Sequence, residues 1–111
     1  MKMHSVAEAK AVEALPGLIR RTLAYNEEGM LCHFTMKKGS GIPLHSHRAS
    51  QIGIVISGHV RFLAEKPEAE FEGLPGDSYV FNANIVHGLQ ALEDTVYIEA
   101  FVPTREEYVD D

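Results

Sequence analysis

Apolar and polar positions alternate along most of this chain, and glycine, proline, asparagine and aspartate interrupt the alternation at short intervals. In QIGIVIS, residues 51–57, Gln51, Gly53 and Val55 fall on one face of an extended strand, and Ile52, Ile54 and Ile56 on the other. Successive side chains of a strand point to opposite sides, so both faces of this one are predicted to be covered. Residues 96–102, VYIEAFV, repeat the pattern, with Tyr97, Glu99 and Phe101 opposite Val96, Ile98, Ala100 and Val102. Turn signals stand between such runs at Asn26-Glu27-Glu28-Gly29, Lys38-Gly39-Ser40-Gly41, Ser57-Gly58, Pro75-Gly76-Asp77 and Glu93-Asp94. They predict strands near residues 30–36, 42–47, 51–57, 60–65, 68–72, 78–81, 85–89 and 95–102. Many short strands with no helices between them imply an all-β antiparallel sandwich or barrel.

Residues 5–15, SVAEAKAVEAL, favour helix but stop at Pro16-Gly17. The segment is too short to be a stable helix alone and reads equally well as an extended arm. With no linker, repeat or low-complexity tract, residues 1–111 are expected to form one domain. Residues 1–16 would be its N-terminal arm, and 17–111 its barrel and tail. The second apolar strand face needs another sheet, the arm or a second subunit as cover, and a homodimer is expected.

Composition narrows the classes of partner. Sixteen acidic residues against ten Lys and Arg give a net charge of -6, which argues against a nucleic-acid backbone as ligand. A small anionic substrate stays open, because one pocket arginine can outweigh the overall charge. Cys32 is the only cysteine, so an intrachain disulfide and a thiolate metal cluster are both excluded. No run has the length of a membrane span, and the first residues lack the apolar stretch of a secretion signal. No membrane partner and a cytoplasmic location are the default expectation.

The candidate chemistry lies in GSGIPLHSHRASQIGIVISG, residues 39–58. His45 and His47 at i and i+2 project from one strand face, a spacing that lets two imidazoles converge on one ion. Gln51 follows a short polar turn and can return to the same place, and His87 on a late strand is the candidate from across the barrel. His4, His33 and His59 read as ordinary solvated or hydrogen-bonded histidines. Arg20, Arg21, Arg48 and Arg61 read as surface charges, and Met30, Met36, Phe34, Phe62 and Phe81 as core.

Gly39-x5-His45-x-His47-x3-Gln51-x6-Gly58 resembles the first motif of the cupin family, and Gly76-x5-Asn82-x-Asn84-x2-His87 is similar to the second. The likeness extends from about Pro16 to Tyr108. It implies a jelly-roll-like barrel, the double-stranded β-helix, with a metal held inside by His45, His47, Gln51 and His87. Gln51 stands where most cupins have glutamate, and Asn82 and Asn84 replace the usual proline and glycine of the second turn. Three imidazoles and an amide leave a divalent ion's charge uncompensated, which favours an anionic ligand. Such a mixed N/O set suits one divalent transition metal, namely Zn, Mn, Fe, Ni or Co.

The C-terminal stretch EAFVPTREEY, residues 99–108, adds a carboxylate, an aromatic ring and a guanidinium. If their face points inward, Glu99 needs a metal, an arginine or a proton as partner, and Arg105 is suited to binding a carboxylate. Glu99 and Arg105 read equally well as a salt bridge closing the barrel mouth. HSH-x3-Q, PGD-S-Y, VHG and E-x-F-x-P-x-R-E together resemble the pectin-degradation cupins that linearise 4,5-unsaturated monouronates. That resemblance implies catalytic roles for Glu99, Phe101 and Arg105 and a sugar acid as the small anionic substrate. Glu99 stands where that group usually has aspartate. A metal-dependent oxygenase and a non-catalytic metal or sugar-acid binding module are the competing expectations.

Overall fold

Turn-forming residues set the limits of most strands. In the computed structural model, which describes residues 1–110, β1 spans Ala11–Leu15, β2 Leu18–Tyr25, β3 Met30–Met36, β4 Gly41–His45 and β5 Ser50–Ser57. These are followed by β6 at Val60–Leu63, β7 at Phe71–Gly73, β8 at Ser78–Phe81, β9 at His87–Ala91 and β10 at Thr95–Val102. Gly58, with φ +94, lets the chain reverse between β5 and β6, where a Cβ would lie 2.2 Å from the Asp94 carbonyl oxygen.

The strands form two antiparallel sheets, one ordered β1-β2-β3-β10-β5-β8 and the other β4-β9-β6-β7. Their inner faces pack together as a double-stranded β-helix barrel. Tyr97, Phe101, Phe34, Met36 and Val55 from the larger sheet and Val60, Phe62 and Leu89 from the smaller one fill the core. The ring of Phe62 lies 4.4 Å from that of Tyr79, joining the two sheets. Strand parity is as the sequence predicts. Gln51, Gly53 and Val55 are buried with Tyr97, Glu99 and Phe101, while Ile52, Ile54, Ile56, Val80 and Val102 are exposed on the outside.

Several sequence expectations are corrected. Of the two readings left open for residues 5–15, the extended one is realised, a turn leading into β1, which pairs with β2. Residues 18–25, which carry no turn-bounded alternation of one kind, form the eight-residue strand β2. The run 68–72 divides into a short 3-10 turn, Pro67–Ala69, and β7, because Pro67 cannot donate to a ladder. The strand placed at 85–89 starts only at His87. Arg20 is not a surface charge. It is 5% exposed, on the inward side of β2 with Leu18 and Thr22. Among the described residues, no helix is long and apolar enough to cross a membrane.

Candidate metal centre and the carboxylate beside it

β4 and β9 bring the histidines together. Their antiparallel register sets His45 opposite His87, and His47 follows on the turn that leaves β4. A second contact fixes that turn, because the Asn84 backbone N–H donates to the His47 carbonyl at 2.8 Å. Asn84 adopts φ +66, the left-handed conformation that a glycine would take at no cost and that asparagine tolerates best among the other residues. The asparagines of the second motif therefore leave its turn intact.

Ligating nitrogens of His45, His47 and His87 lie within 4.8 Å of one another. Each Nδ1 donates to a backbone carbonyl: His45 to Pro43 at 2.9 Å, His47 to Ala49 at 2.7 Å and His87 to Ile85 at 2.8 Å. A carbonyl only accepts, so in each neutral ring the proton sits on Nδ1 and Nε2 offers a lone pair. Burial favours the neutral form of His47 and His87. Desolvation pulls His87 down to about 4 and lowers His47, with Arg105 adding to the effect on His47. The Nε2 atom of His47 is buried without a partner among the described residues. Three converging lone pairs with nothing to donate to them fit a divalent metal ion.

Gln51 on β5 joins this cluster to Glu99 on β10. Its Nε2 donates to Glu99 Oε2 at 2.9 Å, and its Oε1 lies 3.1 Å from His87 Nε2. With the His87 proton on Nδ1, that second contact sets two acceptors face to face. A cation or an additional proton between them relieves it. Fixing the amide nitrogen on Glu99 thus leaves the amide oxygen turned toward the histidines.

Glu99 is 3% exposed, and Tyr79 donates to the same Oε2 at 2.7 Å. Desolvation pushes its acid up to about 7, against the opposing pull of the Tyr79 and Gln51 hydrogen bonds and of Arg105. Both contacts fall on Oε2, which leaves Oε1 for a ligand. Tyr79 reaches Glu99 across Gly53, where a Cβ would lie 2.4 Å from the phenol oxygen and 2.9 Å from the Glu99 Cγ. Desolvation, reinforced by Glu99, keeps the Tyr79 phenol protonated.

A cavity of about 320 Å³ is lined by His45, Gln51, His87, Glu99, Phe101 and Arg105. The Arg105 guanidinium stands 5.2 Å from the Phe101 ring centre and forms no ion pair with Glu99. Its carboxylate neighbour is Glu107, 3.6 Å away. Phe101 also meets the His47 ring edge to face at 6.1 Å. The seven residues singled out from sequence are therefore brought to one place, six on the cavity wall and His47 beside it. The salt bridge alternative for Glu99 and Arg105 is not realised. Sequence reading missed Tyr79, Arg20, Tyr108 and Asp110. Parity would have turned Tyr79 inward, since it alternates with Ser78 and Val80, but no local signal marks the other three.

The family described as the cupin domain matches residues 32–102. No curated protein matches. A solved RmlC-like cupin from Shewanella frigidimarina is 25% identical with a TM-score of 0.90, covering 98% of this chain and 96% of that one. KdgF from Halomonas sp. is 26% identical with a TM-score of 0.89, covering 98% and 99%. The polyketide cyclase RemF from Streptomyces resistomycificus shares the fold at 18% identity and a TM-score of 0.81, covering 95% and 80%.

Proposed function

The chain belongs to the cupin domain family, and from that premise we propose that it is a metal-dependent enzyme that linearises 4,5-unsaturated monouronates. The observation that carries the proposal is the continuous path from the histidine cluster through Gln51 to the buried carboxyl of Glu99, in a cavity that also holds Arg105. The motif resemblance and the likeness to KdgF support the substrate class.

Such a uronate is a cyclic hemiacetal with its C4–C5 double bond conjugated to the C6 carboxylate. Loss of the anomeric hydroxyl proton breaks the bond between C1 and the ring oxygen, leaving an aldehyde at C1 and an enolate at C5. Protonation at C4 completes the linear ketone. His45, His47, His87 and the amide oxygen of Gln51 would hold a divalent ion, which when bound supplies Lewis acidity where negative charge develops. Arg105 binds the C6 carboxylate through its guanidinium fork. Glu99 carries the proton at Oε1, while Tyr79 and Gln51 hold Oε2 in place. Phe101 forms the wall against the apolar face of the sugar. We also assign the exposed outer face of β5, β8 and β10 to contact with a second copy of the chain, since β1 lies at the far edge of that sheet and does not cover it.

The test follows the ultraviolet absorbance of an enzymatically generated 4,5-unsaturated galacturonate with metal-loaded and chelator-treated protein. Metal-dependent loss well above the spontaneous rate, abolished in Glu99→Gln, is the expected result. No acceleration with metal confirmed bound overturns the proposal and leaves a binding module.

A further inference from the structure

Arg20 lines the same cavity as His45, Gln51, His87, Glu99 and Arg105, and no role in the reaction above calls on it. It is a guanidinium at 5% exposure inside a barrel. A charge there is costly unless paired and hydrogen-bonded. Its carboxylate partner is Asp110, ninety positions away in the C-terminal tail, through one contact of 2.8 Å from Nη2 to Oδ1.

The pairing is incomplete on both sides. Arg20 Nε and Asp110 Oδ2 are both buried without a partner among the described residues. A guanidinium and a carboxylate at a committed structural bridge ordinarily use two parallel hydrogen bonds, and this pair uses one. The tail itself lies over the pocket without joining a strand. The Thr22 hydroxyl donates to the Tyr108 carbonyl at 2.6 Å, and the Tyr108 ring stands 4.4 Å from the Arg20 guanidinium and 4.2 Å from that of Arg105. Two guanidiniums therefore flank one aromatic ring on the cavity wall, Arg20 bonded to Asp110 and Arg105 standing beside Glu107, both carboxylates of the same short tail.

We propose that Arg20 is a second carboxylate-binding group of the pocket, that Asp110 occupies it as an internal competitor, and that an organic acid binds there by displacing the tail carboxylate. Exchange of one carboxylate for another spares the ligand from stripping water off a bare guanidinium, and the unused Nε gives an incoming carboxylate the second hydrogen bond that Asp110 does not make. The ligand class is a small acid whose carboxylate reaches Arg20 while the rest of it lies in the cavity. The inference needs the cavity and the tail alone, and does not depend on turnover of a uronate.

Titration calorimetry with D-galacturonate, a stable sugar acid, and with neutral D-galactose tests it on the full chain and its D110N variant. Removing the internal competitor is expected to tighten galacturonate binding about tenfold, the equivalent of one charge-assisted hydrogen bond. Galactose binding should not change. The gain should disappear in the R20Q/D110N double variant. Should that double variant fail to fold, the D110N comparison of acid with neutral sugar decides alone. Galacturonate binding that is absent, weaker or unchanged within twofold in folded D110N protein overturns the proposal. A gain shared equally by galactose overturns it too, because the tail would then act as a steric plug and not as a carboxylate. Linearisation activity is measured separately, so failure of either reading leaves the other standing.

Discussion

Replacing Glu99 with glutamine should change the pH dependence of stability in a direction that the buried carboxyl dictates. Glu99 is 3% exposed, and burial pushes its acid from 4.5 to about 7. The folded chain therefore keeps a proton that the unfolded chain releases between these values. The stability contributed by this group is full below pH 4.5 and is lost as pH rises through 7. At 1.36 kcal/mol per pH unit the loss amounts to about 3 kcal/mol. His87 runs the other way. Its folded value of about 4 lies below the ordinary 6.5, so its contribution is full above pH 6.5 and is lost as pH falls through 4. That arm is of similar size, and the two nearly cancel in the metal-free wild type. Glu99→Gln keeps the shape and removes only the first arm. The chain has no tryptophan, so urea unfolding of chelator-treated protein is best followed by far-ultraviolet circular dichroism from pH 4 to 8. The wild-type value minus the variant value should fall by about 3 kcal/mol across that range, and groups common to both proteins cancel in the difference. A difference that stays constant to within about 1 kcal/mol would refute the reasoning, since Glu99 would then be ionised in the folded barrel.

Gly53→Ala places a methyl group 2.4 Å from the Tyr79 phenol oxygen and 2.9 Å from the Glu99 Cγ. Overpacking of this kind costs about 1–3 kcal/mol, read as a lowered urea midpoint, and an unchanged midpoint would show that Tyr79 does not cross Gly53. Ile54→Lys puts a charge in the middle of the outer apolar face, where Ile52, Ile54 and Ile56 are exposed. Light scattering should find a wild-type dimer and a variant at the monomer mass of 12.3 kDa, and a monomeric wild type would remove the second copy from that face.

What could be read in advance depended on how local each signal was. Period-two alternation is a property of one strand, and it grouped Gln51 with Gly53 and Val55, and Glu99 with Tyr97 and Phe101, while which face turns inward depends on the packing of the two sheets. The fixed spacing of His45, His47 and His87 survived two replaced turn residues because Asn84 takes the left-handed backbone that the turn requires. Arg20 was not legible. On β2 the series Leu18, Arg20, Thr22 and the series Ile19, Arg21, Leu23 each mix apolar and polar residues, and the register shifts between Thr22 and Tyr25. Alternation then gives no preferred inside. Its partner Asp110 is ninety positions distant, and a pairing that spans the whole barrel leaves no mark in either neighbourhood.

The glutamine in the ligand position is best understood from its neighbour. Gln51 Nε2 is 2.9 Å from Glu99 Oε2 in a place where both residues are only 3% exposed. A glutamate at 51 would set two carboxylates at that distance away from water, and without a bound cation they could coexist only by sharing a proton. The amide avoids the conflict because it has two ends. One end donates to Glu99 and the other presents an oxygen to His87. Gly53 belongs to the same solution, since its missing Cβ admits the second donor, Tyr79, to Glu99. Gln51 and Gly53 on β5 and Tyr79 on the adjacent β8 thus hold the single carboxyl of Glu99, on β10 at the other side of β5, beside the histidine cluster. The departure from glutamate at 51 follows from the acid at 99.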